Sequence, residues 1–386
     1  MTTAAPHTTP AAPFTGSAVR AVITGWSVLS SAGPDRAAFT EAVARYRAQG
    51  PSALPAGVGA VLYDDPLPGP AQHVVPDFDV RAALGRKGTG SYDRNTGLAV
   101  VACGQALADS GIDVAAVGNR TVGAALGTTV GSLRSTSDYS LETLTQPRPY
   151  LVNPALFPNT VMNCAAGQAA IRYGLRGVNA TVAGGTLGFH GALRYALNAL
   201  RRGAVRSMLT GAVEEFTPHS AWACHHIAGA APPGEAAAVF LIEHPGNTAG
   251  GPPRAEILAA CSATALTPQD TERALARCVS SALDRAGIAT EEVRLVVTGD
   301  GQGPGGVQDR AARTALGDGP EVLDILGLTG DCQAANGALQ LATLLAVQEA
   351  GTEPAAALGV VTGCTPDGAV GAMVVRGCGH GGADRR

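Results

Sequence analysis

The chain has 386 residues, 46% of them hydrophobic and 15% charged, with a formal net charge of −4. It is too apolar and too weakly charged to stay disordered, and its acidic balance without a long basic stretch argues against a nucleic-acid partner. No apolar run approaches the roughly 18 residues that a membrane span needs, so no membrane is expected.

Residues 1–17 are rich in Ala, Thr and Pro, without a basic region followed by an apolar stretch. They are expected to form a flexible lead and not a signal peptide. Short apolar strands then alternate with helical patterns, which is the mark of α/β layering. In the first half the predicted strands are Arg20–Thr24, Thr121–Leu126, Asn179–Ala183, Ser207–Val213 and Ala236–Glu243. After the Gly/Pro punctuation Pro245–Pro253 come Ala255–Ser262, Arg294–Thr298, Val322–Leu326, Ala355–Val361 and Gly371–Val375. Five strands in a similar rhythm on each side of one punctuation point to a duplication, with halves at 18–245 and 254–376. Residues 377–386 form a Gly-rich tail, expected to be flexible.

Two helices make the repeat visible: Gly191 to Leu200 (GALRYALNAL) and Gly337 to Ala346 (GALQLATLLA). Ala and Leu recur on almost every side of both, so both are predicted to be buried all round. The expected architecture is therefore a five-layered αβαβα arrangement with these helices in the middle. The eight cysteines are scattered without CxxC pairs, which predicts reduced thiols in a cytoplasmic protein, most of them small core residues. Lys87 is the only lysine, so lysine-based covalent chemistry is excluded elsewhere in the chain.

Several motifs resemble the β-ketoacyl synthases of the thiolase superfamily. These are the opening Ala21 to Val28 (AVITGWSV), Asp93 to Ala99 (DRNTGLA) with Ala106 to Gly111, Ala124 to Thr128, and Asn159 to Gly177. Gly211 to Glu215, Pro233 to Ala237 and the second central helix extend the match, in order, over about residues 18–376. The resemblance implies the thiolase-like fold. It also implies three catalytic groups: a Cys at the start of the first central helix and two His from the second half.

Placed by local frame, the nucleophile position falls on Gly185, the first His on Asp300 and the second His on Asp331. The neighbouring lysine position falls on Leu326. All four catalytic residues are replaced, and the family's Phe-containing closing loops are altered at Gly363 to Gly368 and Cys224 to Pro233. Glycine cannot attack a thioester. Two carboxylates would oppose the malonyl carboxylate and its enolate, increasingly so at low dielectric.

A catalytically empty copy paired with an active one is the arrangement of the type II polyketide synthase chain-length factor, and this chain resembles that subgroup. It departs from it by carrying Gly185 where Gln is usual. The resemblance implies an active ketosynthase α subunit as heterodimer partner, an acyl carrier protein bearing the growing chain, and no cofactor. It also implies a chain-length gate lined by Leu133, Thr136 and Ser140, whose i, i+3, i+7 spacing puts them on one helical face. Their modest size suits a linear, reduced or polyenic product.

Other readings stand beside this one. Cys332, following Asp331 at a helix start, offers a relocated nucleophile with a lowered pKa, for an acyl-thioester transferase or hydrolase. A stand-alone acyl-binding homodimer is a third. His219, Cys224, His225 and His226 lie in a Pro/Ala-rich stretch with no zinc spacing, so no metal is expected. Asp331 suits a helix N-cap, Asp300 a turn among glycines, and His190 a core or interface histidine with its hydrogen bonds satisfied.

Overall fold

A computed structural model describes residues 20–50, 62–69, 73–227, 231–351, 354 and 356–378. The terminal segments 1–17 and 379–386 lie outside these described residues. The strands are β1 (Ala21–Ser30), β2 (Val122–Thr128), β3 (Asn179–Ala183), β4 (Ser207–Glu214) and β5 (Ala236–Glu243) in the first half. The second half holds β6 (Ala255–Thr264), β7 (Val293–Thr298), β8 (Glu321–Asp324), β9 (Leu358–Cys364) and β10 (Ala369–Gly377). Before β6 come the helices α1 (Arg36–Gln49), α2 (Val80–Leu84), α3 (Arg94–Ser110), α4 (Val114–Val117), α5 (Leu133–Thr145), α6 (Cys164–Tyr173), α7 (Gly188–Arg201) and α8 (Pro218–His225). After it come α9 (Thr271–Ala286), α10 (Val307–Leu316), α11 (Leu326–Thr329) and α12 (Asn336–Glu349).

The strands run in the order β3-β2-β4-β5-β1-β6-β10-β9-β7-β8. Counted within each half, both leaves have the order 3-2-4-5-1 from their free edge inward. Pairing direction is copied as well: β2 is parallel to β3 and β4, β7 is parallel to β8 and β9, and the remaining pairs are antiparallel. The leaves meet where Ala21–Ile23 pair antiparallel with Ala255–Ile257. The predicted duplication is thus present as topology.

Side-chain alternation sorts the strand residues between layers. In β4, Met208 and Ala212 join the central core, whereas Leu209 and Val213 join the outer core beneath α3. In β5, Phe240 and Ile242 go inward and Val239 and Leu241 outward. A third core, with Leu275 and Val279 of α9 and Val360 and Val374, covers the other outer face. The five layers are α3 with α6, the first leaf, α7 with α12, the second leaf, and α9 with α10. Strands covered on both faces read as unbroken apolar runs, which is why they were legible in the sequence.

Two expectations need correction. Helix α12 buries every residue from Asn336 to Val347, as predicted, but α7 leaves Arg194 and Tyr195 exposed. Helix α1 lies along α12, while that side of α7 faces solvent in this chain. Leu326 begins α11 instead of ending a strand, because Asp324 stops β8 and accepts the Leu326 N–H at 2.9 Å. No helix among the described residues is long and apolar enough to cross a membrane.

Candidate functional site

The start of α7 is reached through a short turn, Gly185–Leu187, after β3. Gly185 has φ +53°, the left-handed region that glycine tolerates best, and a Cβ built on it meets nothing within 4 Å among the described residues. A side chain has room here, and the chain supplies none. Nearby, Gly188 sits so close to Ala334 that a Cβ would come within 2.7 Å of the Ala334 methyl. The Thr186 hydroxyl donates to the Cys364 carbonyl at 3.0 Å. The turn at Gly185, the entry to α12 and the end of β9 therefore meet at one place.

The two aspartates of the second half lie on the loops around that place, but their carboxylates serve their own turns. Asp300 accepts from Gln308 N at 2.9 Å and Gln302 N at 3.2 Å. It stands against Asp324, and its pKa is raised, by burial first, against the opposing pull of the Gln308 and Gln302 amides and with a smaller push from the Asp324 charge. Asp324 accepts from Gly303 N at 3.1 Å as well as from Leu326 N. Asp331 accepts from Gln333 N at 2.9 Å and from the Asn336 side-chain amide at 2.8 Å, capping the turn that leads into α12. Leu326 packs its methyl groups beside Gly299 and Gly301, an apolar contact next to the Asp300 turn.

Around Asp300 runs a polar network that sequence reasoning missed. The Gln308 side-chain oxygen accepts from Gly299 N and the Thr362 hydroxyl, and Gln340 donates to the carbonyls of Val297 and Thr362. Gln308 and Asp324 lie outside every motif named above, and Gln340, though within the second central helix, shows no polar role in the sequence. They meet only when β7, α10, α12 and β9 are layered.

Cys332 does not fit the relocated nucleophile. Its side chain is fully buried, its thiol points to the Thr329 carbonyl at 3.5 Å, and burial pushes its pKa well above the ordinary thiol value. The expected lowering is reversed because the helix start is enclosed by apolar neighbours with Asp331, Glu235 and Glu214 near.

His190 is a core residue, but its hydrogen bonds are not satisfied: both ring nitrogens are buried without a partner among the described residues. Gly337, Gly363 and Gly371 cradle the ring, each so close that a Cβ would come within 3.0 Å of it. Burial lowers its pKa to about 4, so it is neutral at neutral pH.

The histidines before the altered loop belong to α8 and its end, not to a loop. Trp222 packs against His225 and His226 with ring centroids 5.6 and 6.0 Å apart, and its indole N–H donates to the Pro66 carbonyl.

The three positions expected to form a gate share one face of α5, with Leu133 and Thr136 half-buried and Ser140 exposed. Ser140 donates to the Thr136 carbonyl at 2.8 Å, and Thr136 to that of Ser132 at 2.9 Å. Beside this helix is an apolar surface that includes Leu141, Leu144, Tyr150, Phe157 and Met162, and β3 is a free sheet edge.

The geometry is that of a thiolase-fold ketosynthase scaffold with Gly185 in the turn ahead of the first central helix. The family model for the β-ketoacyl synthase N-terminal domain matches residues 20–242. The solved ishigamide ketosynthase/chain length factor superposes with a TM-score of 0.79 at 33% identity, over 93% of this chain and 99% of that one. The chain therefore belongs to the β-ketoacyl synthase family. A type II polyketide synthase acyl-carrier protein complex with its ketosynthase, bound to the hexaketide, shares the fold at TM-score 0.77 and 15% identity, over 93% and 99% of the two chains. The 3-oxoacyl-(acyl-carrier-protein) synthase 2 of Vibrio harveyi is 29% identical over 143 residues, which is 37% of this chain and 34% of that enzyme. The match thus spans about a third of the length of that curated relative.

Proposed function

We propose that this chain is the chain-length factor of a type II polyketide synthase: a ketosynthase-like subunit without condensing activity of its own. It pairs with an active ketosynthase and shapes the tunnel in which a carrier-bound acyl chain grows, in the cytoplasm. The observation that carries this reading is the empty turn ahead of α7, where Gly185 offers space and no nucleophile. Three further features support it. Asp300 and Asp331 stand where the family has imidazoles and are engaged with backbone amides; a carboxylate there opposes an enolate. Leu326 stands where the family has lysine. The free edge of β3 and the apolar surface near α5 suit a partner of like fold.

The test is to purify the chain alone and incubate it with malonyl-loaded acyl carrier protein. No decarboxylation and no acyl transfer are expected, and turnover by the lone chain overturns the reading. Co-expression with a ketosynthase encoded beside it is expected to give a one-to-one complex that makes products of defined length. Failure to associate counts equally against it.

A further inference from the structure

Helix α5 carries all three gate positions, yet Ser135 is the only one of its 13 residues that is buried. Packing within this chain is therefore a weak determinant of where the helix lies. Its N-terminal approach is held differently. Gly131, at φ +72°, turns the chain between β2 and α5, and its N–H donates to the Thr128 hydroxyl at 3.0 Å. Two consecutive glutamates, Glu214 ending β4 and Glu215 following it, grip the two sides of this turn. On the entering side, Glu214 Oε1 accepts the Thr129 N–H and the Thr128 hydroxyl, the latter at 3.4 Å. On the leaving side, Glu215 Oε1 accepts the Ser132 hydroxyl at 2.9 Å and Arg134 N at 3.3 Å. Its Oε2 accepts Asn95 N at 3.2 Å, tying the same carboxylate to the first turn of α3.

Both side chains are buried: Glu214 is 7% exposed and Glu215 6%. Ser132 is itself the N-cap of α5, accepting Ser135 N at 3.1 Å. Glu215 thus completes a cap and meets the positive end of the helix dipole. Neighbouring strand residues point to opposite faces, so the pair reaches both sides of the loop from one strand end. The Glu215 side opens on a cavity of about 300 Å³ also lined by Tyr63, Arg94 and Arg134.

We infer that Glu214 and Glu215 are positioning residues for the gate: they set where α5 sits, and so the depth of the tunnel, without touching the growing chain. This rests on the chain-length reading above. It extends that reading by assigning length control to a buried clamp as well as to the side chains at 133, 136 and 140.

The experiment uses the complex with the ketosynthase and compares wild type with Glu215→Ala, Glu215→Gln, Glu214→Gln and Ser140→Phe. Two quantities are read: amide hydrogen exchange across residues 129–136, and the distribution of product lengths. Glu215→Ala is expected to speed exchange at the start of α5 roughly fivefold to tenfold, the size of losing one cap. It is also expected to broaden the length distribution. Glu215→Gln, which keeps an acceptor oxygen, should restore most of both.

Unchanged exchange in a folded Glu215→Ala complex overturns the clamp. Faster exchange with an unchanged length distribution, while Ser140→Phe shifts length, overturns its role in specificity and leaves the chain-length reading standing. If neither Ser140→Phe nor Glu215→Ala alters length, the chain-length reading fails and the inference fails with it.

Discussion

The two halves of this protein share a strand order and differ at their margins. Both leaves run 3-2-4-5-1 from the edge with the same parallel and antiparallel pairs. Yet of the large apolar side chains left exposed among the described residues, only Leu266 comes from the second half. Val130, Leu141, Leu144, Tyr150, Phe157, Met162, Tyr195 and Trp222 are among those of the first. The central helices show the same contrast residue by residue. With Gly191 set against Gly337, Arg194 corresponds to Gln340 and Tyr195 to Leu341. The first member of each pair is exposed and the second buried. A copied core therefore fixes the layering. The surfaces that it leaves uncovered are concentrated in one copy, as expected of a half that presents its edge to a partner.

The sharpest way to break this comparison is at the repeat-equivalent pair. Leu341→Ala should cost about 2–5 kcal/mol of unfolding free energy, because Leu341 is wholly buried between the leaves. Tyr195→Ala at the matching position should stay within about 0.5 kcal/mol in the isolated chain. Denaturant midpoints of the two variants measure the difference, and equal losses would contradict the asymmetry.

A second test uses His190, where the two halves touch. Its folded pKa of about 4 lies below the ordinary 6.5, so the unfolded chain binds this proton more readily. Stability is therefore lost as pH falls from 6.5 towards 4, by about 3 kcal/mol at 1.36 kcal/mol per pKa unit. Burial raises Glu214 to about 8 and Glu215 to about 7, and these act in the opposite sense: their contribution falls as pH rises from 4.5 through those values. The comparison is accordingly between wild type and His190→Phe, whose unfolding free energies should diverge below pH 6.5 in favour of the variant.

Gly185→Cys is expected to cost about 1–2 kcal/mol, for a side chain at a left-handed φ, and to encounter no steric clash at Cβ. On the proposed reading, in which Asp300 and Asp331 take the imidazole positions, condensation should remain absent. Thermal unfolding and a malonyl turnover assay report the two effects, and restored condensation would show the carboxylates to be harmless. The smallest expected change in stability is that of Ser140→Phe, within about 0.5 kcal/mol because Ser140 is exposed in this chain. In the complex it should shorten the product, read by mass spectrometry.

The amino-acid sequence by itself determined the layers, because strands buried on both faces must be largely apolar, and β5 falls where its apolar run begins and ends. It also offered Gly185, Asp300, Asp331 and Leu326 as candidate positions, since each follows or opens an element with a readable frame. Tertiary structure decided what those frames enclose. Cys332 looked like a thiol at a helix start and is instead sealed in the core, with its pKa raised. Asp300 looked like an isolated turn residue, and its neighbour Asp324 comes from the adjoining strand, 24 positions along the chain. The grip of Glu214 and Glu215 on the start of α5 likewise joins segments more than 80 residues apart. Burial and charge proximity depend on distance in space, and periodicity along a chain carries no record of which distant side chains will share an enclosed volume.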